Sequence, residues 1–148
     1  MRTTRPSADG MNLEDVLNFV RAQRLAVVAT VSEDGSPEAA LMGIVTMPDA
    51  RIIFDTVKRS RKYSNLRKEK RIAIVVGWND EITAQLEGVA DEPADSDLDR
   101  CKDAYFTFYP EGRVREAWPD IAYIGVRLSW IRYCDYNVGG VGVIEFRC

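Results

Sequence analysis

The sequence predicts a mainly β, α+β fold: a small antiparallel barrel with helices at its periphery. Three observations carry this. Short runs of β-branched and apolar residues recur between turn signals, as in LAVVATVS and RIAIVVGW. The connections between them are too short for the repeated helical crossovers of a parallel sheet. Helical spacing of apolar residues is confined to a few stretches that stand apart from the strands. With 148 residues, 46% hydrophobic and 29% charged, the length suits a single core, so residues 11–148 are read as one domain behind a flexible arm, residues 1–10.

That arm is polar, has no periodicity and includes Pro6 and Gly10. A helix follows, capped by Asn12, with Glu14 and Asp15 at its positive end and Leu13, Val16, Leu17 and Val20 on one face. It is expected to cover one end of the barrel. Leu25 to Ser32 and Pro37 to Thr46 read as a hairpin around the turn residues Glu33-Asp34-Gly35-Ser36. Pro48, Asp49 and Ala50 turn the chain into a third strand, Arg51 to Asp55. A basic helix, Arg61 to Lys70, has only Tyr63 and Leu66 on its apolar face.

Arg71 to Trp78 reads as a buried strand, with Asn79-Asp80 as the turn and Glu81 to Ala90 as the antiparallel partner; Gly88 marks a bulge or bend. Ala94 to Phe108 has acids at its start and places Leu98, Cys101, Tyr105 and Phe108 at helical spacing before Pro110 and Gly112 stop it. Arg113 to Trp118 is a further helical turn. Ile121 to Ser129 and Trp130 to Tyr136 read as two strands, and Val143 to Phe146 as a short last one. Gly139-Gly140-Val141-Gly142 precedes a strand rather than a helix, so it reads as a bend, not a phosphate loop.

Composition excludes several kinds of chemistry. There is no histidine, which removes Ser-His-Asp and Cys-His catalysis, histidine-ligated zinc and histidine-ligated haem. Cys101, Cys134 and Cys148 are an odd set without CxxC spacing, and no signal peptide opens the sequence, so a reducing cytoplasm is the expected location, with no metal site. No apolar run approaches the roughly 20 residues that span a bilayer. A net charge of −3 does not suit a protein that coats nucleic acid or membrane.

Against that acidic background, residues 58–71 hold eight basic residues and one acid, a net of +7. A solvated cationic face is the ordinary explanation of such a run. Here, however, Lys58, Arg59, Arg61 and Lys62 flank Ser60 at a helix N-cap directly after a strand, where free backbone N–H groups and a positive dipole end converge. A phosphate is the expected ligand. Arg67, Lys68, Lys70 and Arg71 lie beyond the first turn and are assigned to the solvated face.

The ordered set of Gly35-Ser36-Pro37, the strand IIFDT, then SRK, NLRKEKRIAIVV and QLEGVA resembles the pyridoxamine 5'-phosphate oxidase-like, flavin-binding split-barrel family, over roughly Val16 to Tyr136. The resemblance implies a six-stranded antiparallel split β-barrel with peripheral helices, and a homodimer with FMN in a groove between subunits. It implies a phosphate held by Ser60, Arg61 and Lys62, with Thr56 as a further contact, and a flavin lying along Ala40, Leu41, Met42 and Gly43. The oxidase has arginine at Ala40 and tyrosine at Asp55, so two side-chain contacts are missing while backbone contacts to the flavin survive. A family glutamine falls at Thr83. Gln85 shares its strand face and is assigned to the flavin edge because its amide both donates and accepts; an exposed strand glutamine is the alternative. Trp118, Tyr123, Trp130, Tyr133 and Tyr136 are read as packing aromatics rather than flavin stackers.

The function expected from this is an FMN-dependent oxidoreductase acting on a small molecule, with no residue assigned as catalytic acid or base. The family's C-terminal Arg-x-His has no counterpart in a chain without histidine, so the oxidase's own substrate is not expected. A deazaflavin in place of FMN, and flavin storage without catalysis, are the alternatives; nucleic acid and membrane are not expected partners.

Overall fold

The computed structural model describes residues 10–137 and 142–148. The expected arm up to residue 9, and Gly139, Gly140 and Val141 of the expected bend, lie outside the described residues. Helix α1 (Leu13–Arg21) starts at Asn12 in a reciprocal capping box: Asn12 Oδ1 accepts from the Asp15 N–H and the Asp15 carboxylate accepts from the Asn12 N–H, each at 2.9 Å. Val16, Leu17 and Val20 are its buried face, as the spacing predicts.

The strands are β1 (Leu25–Val31), β2 (Pro37–Gly43), β3 (Val45–Thr46), β4 (Ile52–Val57), β5 (Arg71–Val76), β6 (Ile82–Asp91), β7 (Ile121–Asp135) and β8 (Gly142–Arg147). Helix α2 (Arg61–Lys68) follows β4; α3 (Asp95–Phe108) and α4 (Gly112–Arg115) lie between β6 and β7. All strand pairs are antiparallel. They form one sheet of order β2-β1-β5-β6-β7-β4-β3, with β8 added to β7. The fold is the antiparallel, curled barrel that the sequence predicts, with eight strands in place of six.

Two boundaries account for the difference. Pro37 to Thr46 is not one return strand: Gly43 still pairs with Leu25 of β1, whereas Val45 pairs with Ile53 of β4. The chain changes partner at Ile44, which is fully buried and whose N–H donates to the Arg24 carbonyl at 2.9 Å. Consequently β2 and β3, at opposite ends of the hydrogen-bonded path, are separated by a single residue, and the sheet has to curl until its ends meet.

Conversely, Ile121 to Ser129 and Trp130 to Tyr136 are one long strand. Glu87 pairs with Trp130 and Gly88 with Leu128, leaving Ser129 as the extra residue of a bulge, its Oγ donating to the Glu87 carbonyl at 3.2 Å. Gly88 is required there, because a Cβ would stand 2.4 Å from the Arg127 carbonyl oxygen. The bulge separates the part of β7 that pairs with β4 from the part that pairs with β8.

Inward residues Val28, Phe54, Ile74, Leu86, Val126 and Ile131 fill the barrel. A second apolar cluster lies under α3, where Cys101, Tyr105 and Phe106 meet Met47, Ile53 and Tyr123. Strand β4 is therefore covered on both faces. Among the described residues nothing covers the outer face of β2, β1 and β5: Leu25, Val31, Leu41 and Val75 are all exposed there, Leu41 to 61%. Among the described residues no helix is long and apolar enough to cross a membrane.

Candidate functional site

Strand β4 alternates, so Thr56 points inward with Ile52 and Phe54 while Asp55 points towards α3. Three residues after β4 ends at Val57, Ser60 takes an extended backbone (φ −72°, ψ 151°) and caps α2, its Oγ accepting from the Tyr63 N–H at 3.3 Å. Thr56 and Ser60 share a hydrogen bond between hydroxyls at 2.9 Å, and Lys62 Nζ reaches Thr56 Oγ1 at 3.5 Å. The Arg61 and Lys62 N–H groups stand in the first helical turn, where the helix itself offers no acceptor. The sequence-derived anchor residues Thr56, Ser60, Arg61 and Lys62 are thus together in space.

The charges around them are distributed less simply than the sequence suggests. Arg59 pairs with Asp120 at 2.5 Å, Lys68 with Glu33 at 2.6 Å, Arg71 with Glu69 at 2.8 Å and Arg61 with Glu38 at 2.9 Å. Half of the eight cations are therefore matched by acids, most of them from other elements. Lys62 differs: among the described residues no carboxylate lies within ion-pair distance of it. Burial first, and then the neighbouring Arg61 charge, hold its ammonium below the ordinary lysine value.

Glu38 and Asn65 belong to the site although the sequence reading did not single them out. Asn65 is buried on α2 and its Nδ2 donates to Thr30 Oγ1 at 2.9 Å and to Glu38 Oε1 at 2.8 Å. The readable signals were an amide beside Leu66 on the apolar face of the helix, and an acid in step with Ala40 on the inward face of β2. Val28, Thr30, Glu38, Ala40, Arg61 and Lys62 border a cavity of about 80 Å³.

Ala40, Leu41, Met42 and Gly43 do not present one face. Ala40 and Met42 turn inward against the core and Leu41 outward, so only their backbone forms a continuous edge. Gly43 lies against Tyr109, where a Cβ would come within 3.2 Å of the ring. Gln85 is not part of the cluster. It is exposed on the outer face of β6, opposite Val75, with β5 and β1 between it and β2, a lateral distance of about 14 Å at sheet spacing. Thr83 shares that face and donates to the Val76 carbonyl at 3.2 Å.

Asp55 is engaged elsewhere, accepting from Arg115 Nε at 2.7 Å and from the Tyr105 hydroxyl at 3.1 Å. Of the aromatics, Tyr123 and Tyr133 are buried in the two apolar clusters, whereas Trp118 and Tyr136 are exposed. No group of His, Cys, Asp or Glu suited to a metal ion occurs among the described residues.

The sequence model of the family described as pyridoxamine 5'-phosphate oxidase matches residues 13–135. No curated protein matches the chain by sequence. Among solved structures, a heme binding protein from Mycobacterium smegmatis has a TM-score of 0.77 at 18% identity; the match covers 95% of this chain and 58% of that one, which is much longer. HutZ, the heme storage protein from Vibrio cholerae, has a TM-score of 0.68 at 15% identity, covering 80% of this chain and 91% of its own. A pyridoxamine 5'-phosphate oxidase-related, FMN binding protein from Nostoc punctiforme has a TM-score of 0.65 at 12% identity, covering 84% and 87%. At such identities the likeness to these structures is one of fold.

Proposed function

Because the chain belongs to the pyridoxamine 5'-phosphate oxidase family, we propose that it binds FMN and serves as a flavin-dependent oxidoreductase for a small substrate. The observation that carries this reading is Lys62: a partly desolvated cation with no carboxylate in ion-pair distance among the described residues, beside two hydroxyls and the open first turn of a helix. These residues fit a phosphate. The cavity of about 80 Å³ is the space of two or three waters, which suits one tetrahedral group.

In this reading Lys62 and Arg61 supply charge, Ser60 and Thr56 supply hydroxyl donors, and the β2 backbone from Ala40 to Gly43 runs beside the ring and ribityl chain. Gln85 is too far across the sheet to join them from the same chain, so its proposed contact is with a flavin held mainly by a second copy. Bound FMN would supply the redox chemistry, and this chain's residues would orient it and limit access to it.

The partner proposed for the outer face of β2, β1 and β5 is that second copy, since the exposed Leu25, Val31, Leu41 and Val75 lie next to the proposed ring position. The acids paired to half of the basic run support a small phosphorylated ligand over a nucleic acid. A cytoplasmic location goes with this reading.

Haem is a second reading because two structures of like fold are those of heme proteins. With no histidine, an axial ligand would have to come from Tyr, Cys or Met. Titration of the protein with FMN, FAD, a deazaflavin and hemin, followed by visible absorption and fluorescence, tests these together. FMN bound more tightly than the others is the expected result. Binding of hemin alone, or of none, would overturn the flavin reading, and preference for the deazaflavin would move the chain to a deazaflavin-dependent reductase. Failure of reduced nicotinamides or other donors to bleach bound FMN would point to storage.

A further inference from the structure

We infer that Glu38 is a resident competitor for the cofactor phosphate, a carboxylate that occupies Arg61 until a dianionic phosphate monoester draws the guanidinium away. This rests on the phosphate-anchor reading and assigns a role within it to a residue outside the motif. Glu38 is held in place from behind. Its Oε1 accepts from Asn65 Nδ2 at 2.8 Å, and the same amide nitrogen donates to the buried Thr30 Oγ1 at 2.9 Å. Its Oε2 accepts from Arg61 Nη1 at 2.9 Å.

The two partners differ in freedom. The Glu38 side chain is 18% exposed and that of Arg61 73%. Arg61 is a long side chain on the open first turn of α2; Glu38 is a shorter one on a strand, fixed by a buried amide. The member of the pair that can move is therefore Arg61. Glu38 engages Nη1, so a phosphate entering beside Lys62 meets a guanidinium turned to Glu38 with only Nε and Nη2 unengaged by it, and must draw Arg61 away to gain its full charge and fork.

Charge decides which ligands succeed. Arg61, Lys62 and Glu38 together carry a single positive charge, so a dianion gains from the exchange. A monoanionic diester offers Arg61 no more charge than Glu38 already does. The pair thus selects a terminal monoester over a flavin whose phosphate is further esterified. Because Arg61 is largely exposed, its bond to Glu38 is a weak one, and the cost it imposes is modest.

The test measures dissociation constants of FMN and riboflavin by flavin fluorescence for the native protein, Glu38→Gln, Arg61→Ala and the double variant. Gln at position 38 keeps an oxygen for Asn65, and melting temperatures check the fold; Glu38→Ala is a second variant if that one is unstable. Glu38→Gln is expected to bind FMN about three- to fivefold more tightly, with riboflavin unchanged. In the Arg61→Ala background the gain is expected to vanish, since there is no guanidinium left to compete for. A gain of the same size without Arg61 would show plain repulsion and overturn the exchange. Weaker or unchanged FMN binding in both Glu38 variants would overturn it as well, with the flavin reading intact. No FMN binding by the native protein would remove that reading and this inference with it.

Discussion

Lys62 is a residue whose place in the fold costs stability. Its proton is held less tightly in the folded chain than in the unfolded one, because burial and Arg61 disfavour the ammonium. The unfolded state therefore binds more protons in the window just below the ordinary lysine value, and stability rises as the pH climbs through it. Lys62→Met is accordingly expected to raise the melting temperature of the ligand-free protein at neutral pH, with the difference shrinking as the pH passes the lysine value. The same substitution is expected to weaken FMN about tenfold to a hundredfold, the loss of one charge-assisted bond. A variant that lost both stability and affinity would show Lys62 to be structural. Ser60 was legible as a cap because strand, cap and helix are local patterns, and Thr56 only through the family resemblance; Glu38 was not, because its partners Arg61 and Asn65 lie on another element and only the curl of the sheet brings them near.

At the scale of elements, α3 and α4 are fastened to β4 by Asp55. Its carboxylate takes Arg115 from α4 and Tyr105 from α3, and Arg115 Nη2 also donates to the Tyr105 hydroxyl at 3.2 Å, which closes the triangle. Burial first, and then the Asp55 charge, push the Tyr105 phenol up, so it stays protonated, and a donor, above the pH at which an ordinary tyrosine ionises. Arg115→Ala is expected to cost about 1–3 kcal/mol in chemical denaturation, less than a fully buried pair because the Arg115 side chain is 28% exposed. Gly88→Val is expected to cost about 2 kcal/mol or more by the same measurement, since its side chain meets the β7 backbone at the bulge. Apolar and β-branched runs made β1 and β5 legible, although β5 is buried on one face only, and alternation made β6 legible, with Gly88 marking its irregularity. The break at Ile44 was not legible, because nothing in Pro37 to Thr46 says that the strand changes partner. The continuity of β7 was hidden for the opposite reason: one extra residue, Ser129, interrupts the alternation of a single strand.

At the scale of the molecule, the uncovered outer face argues for a second copy. Its residues come from three adjacent strands in register, Leu41 beside Val27 beside Val75, so the apolar surface is continuous rather than scattered. Sedimentation of the protein is expected to give a dimer, and Val75→Glu a folded monomer with weaker FMN binding. A native monomer in the presence of FMN would contradict the assembly. The single residue between β2 and β3 bears on motion as well. The proposed phosphate site draws Ala40 from one end of the hydrogen-bonded path and Thr56 from beside the other, so a ligand held there would span the seam where the barrel could part. No ladder crosses that seam, but its opening would leave β2 held by β1 alone and the β3–β4 edge by β7 alone, so that both edges fray from the same opened state. Saturating FMN is therefore expected to slow their deuterium exchange by a common factor, no smaller than that for the amides of the β6–β7 ladder, which only global unfolding exposes; edges that exchanged as before with FMN bound would contradict a ligand that spans the seam.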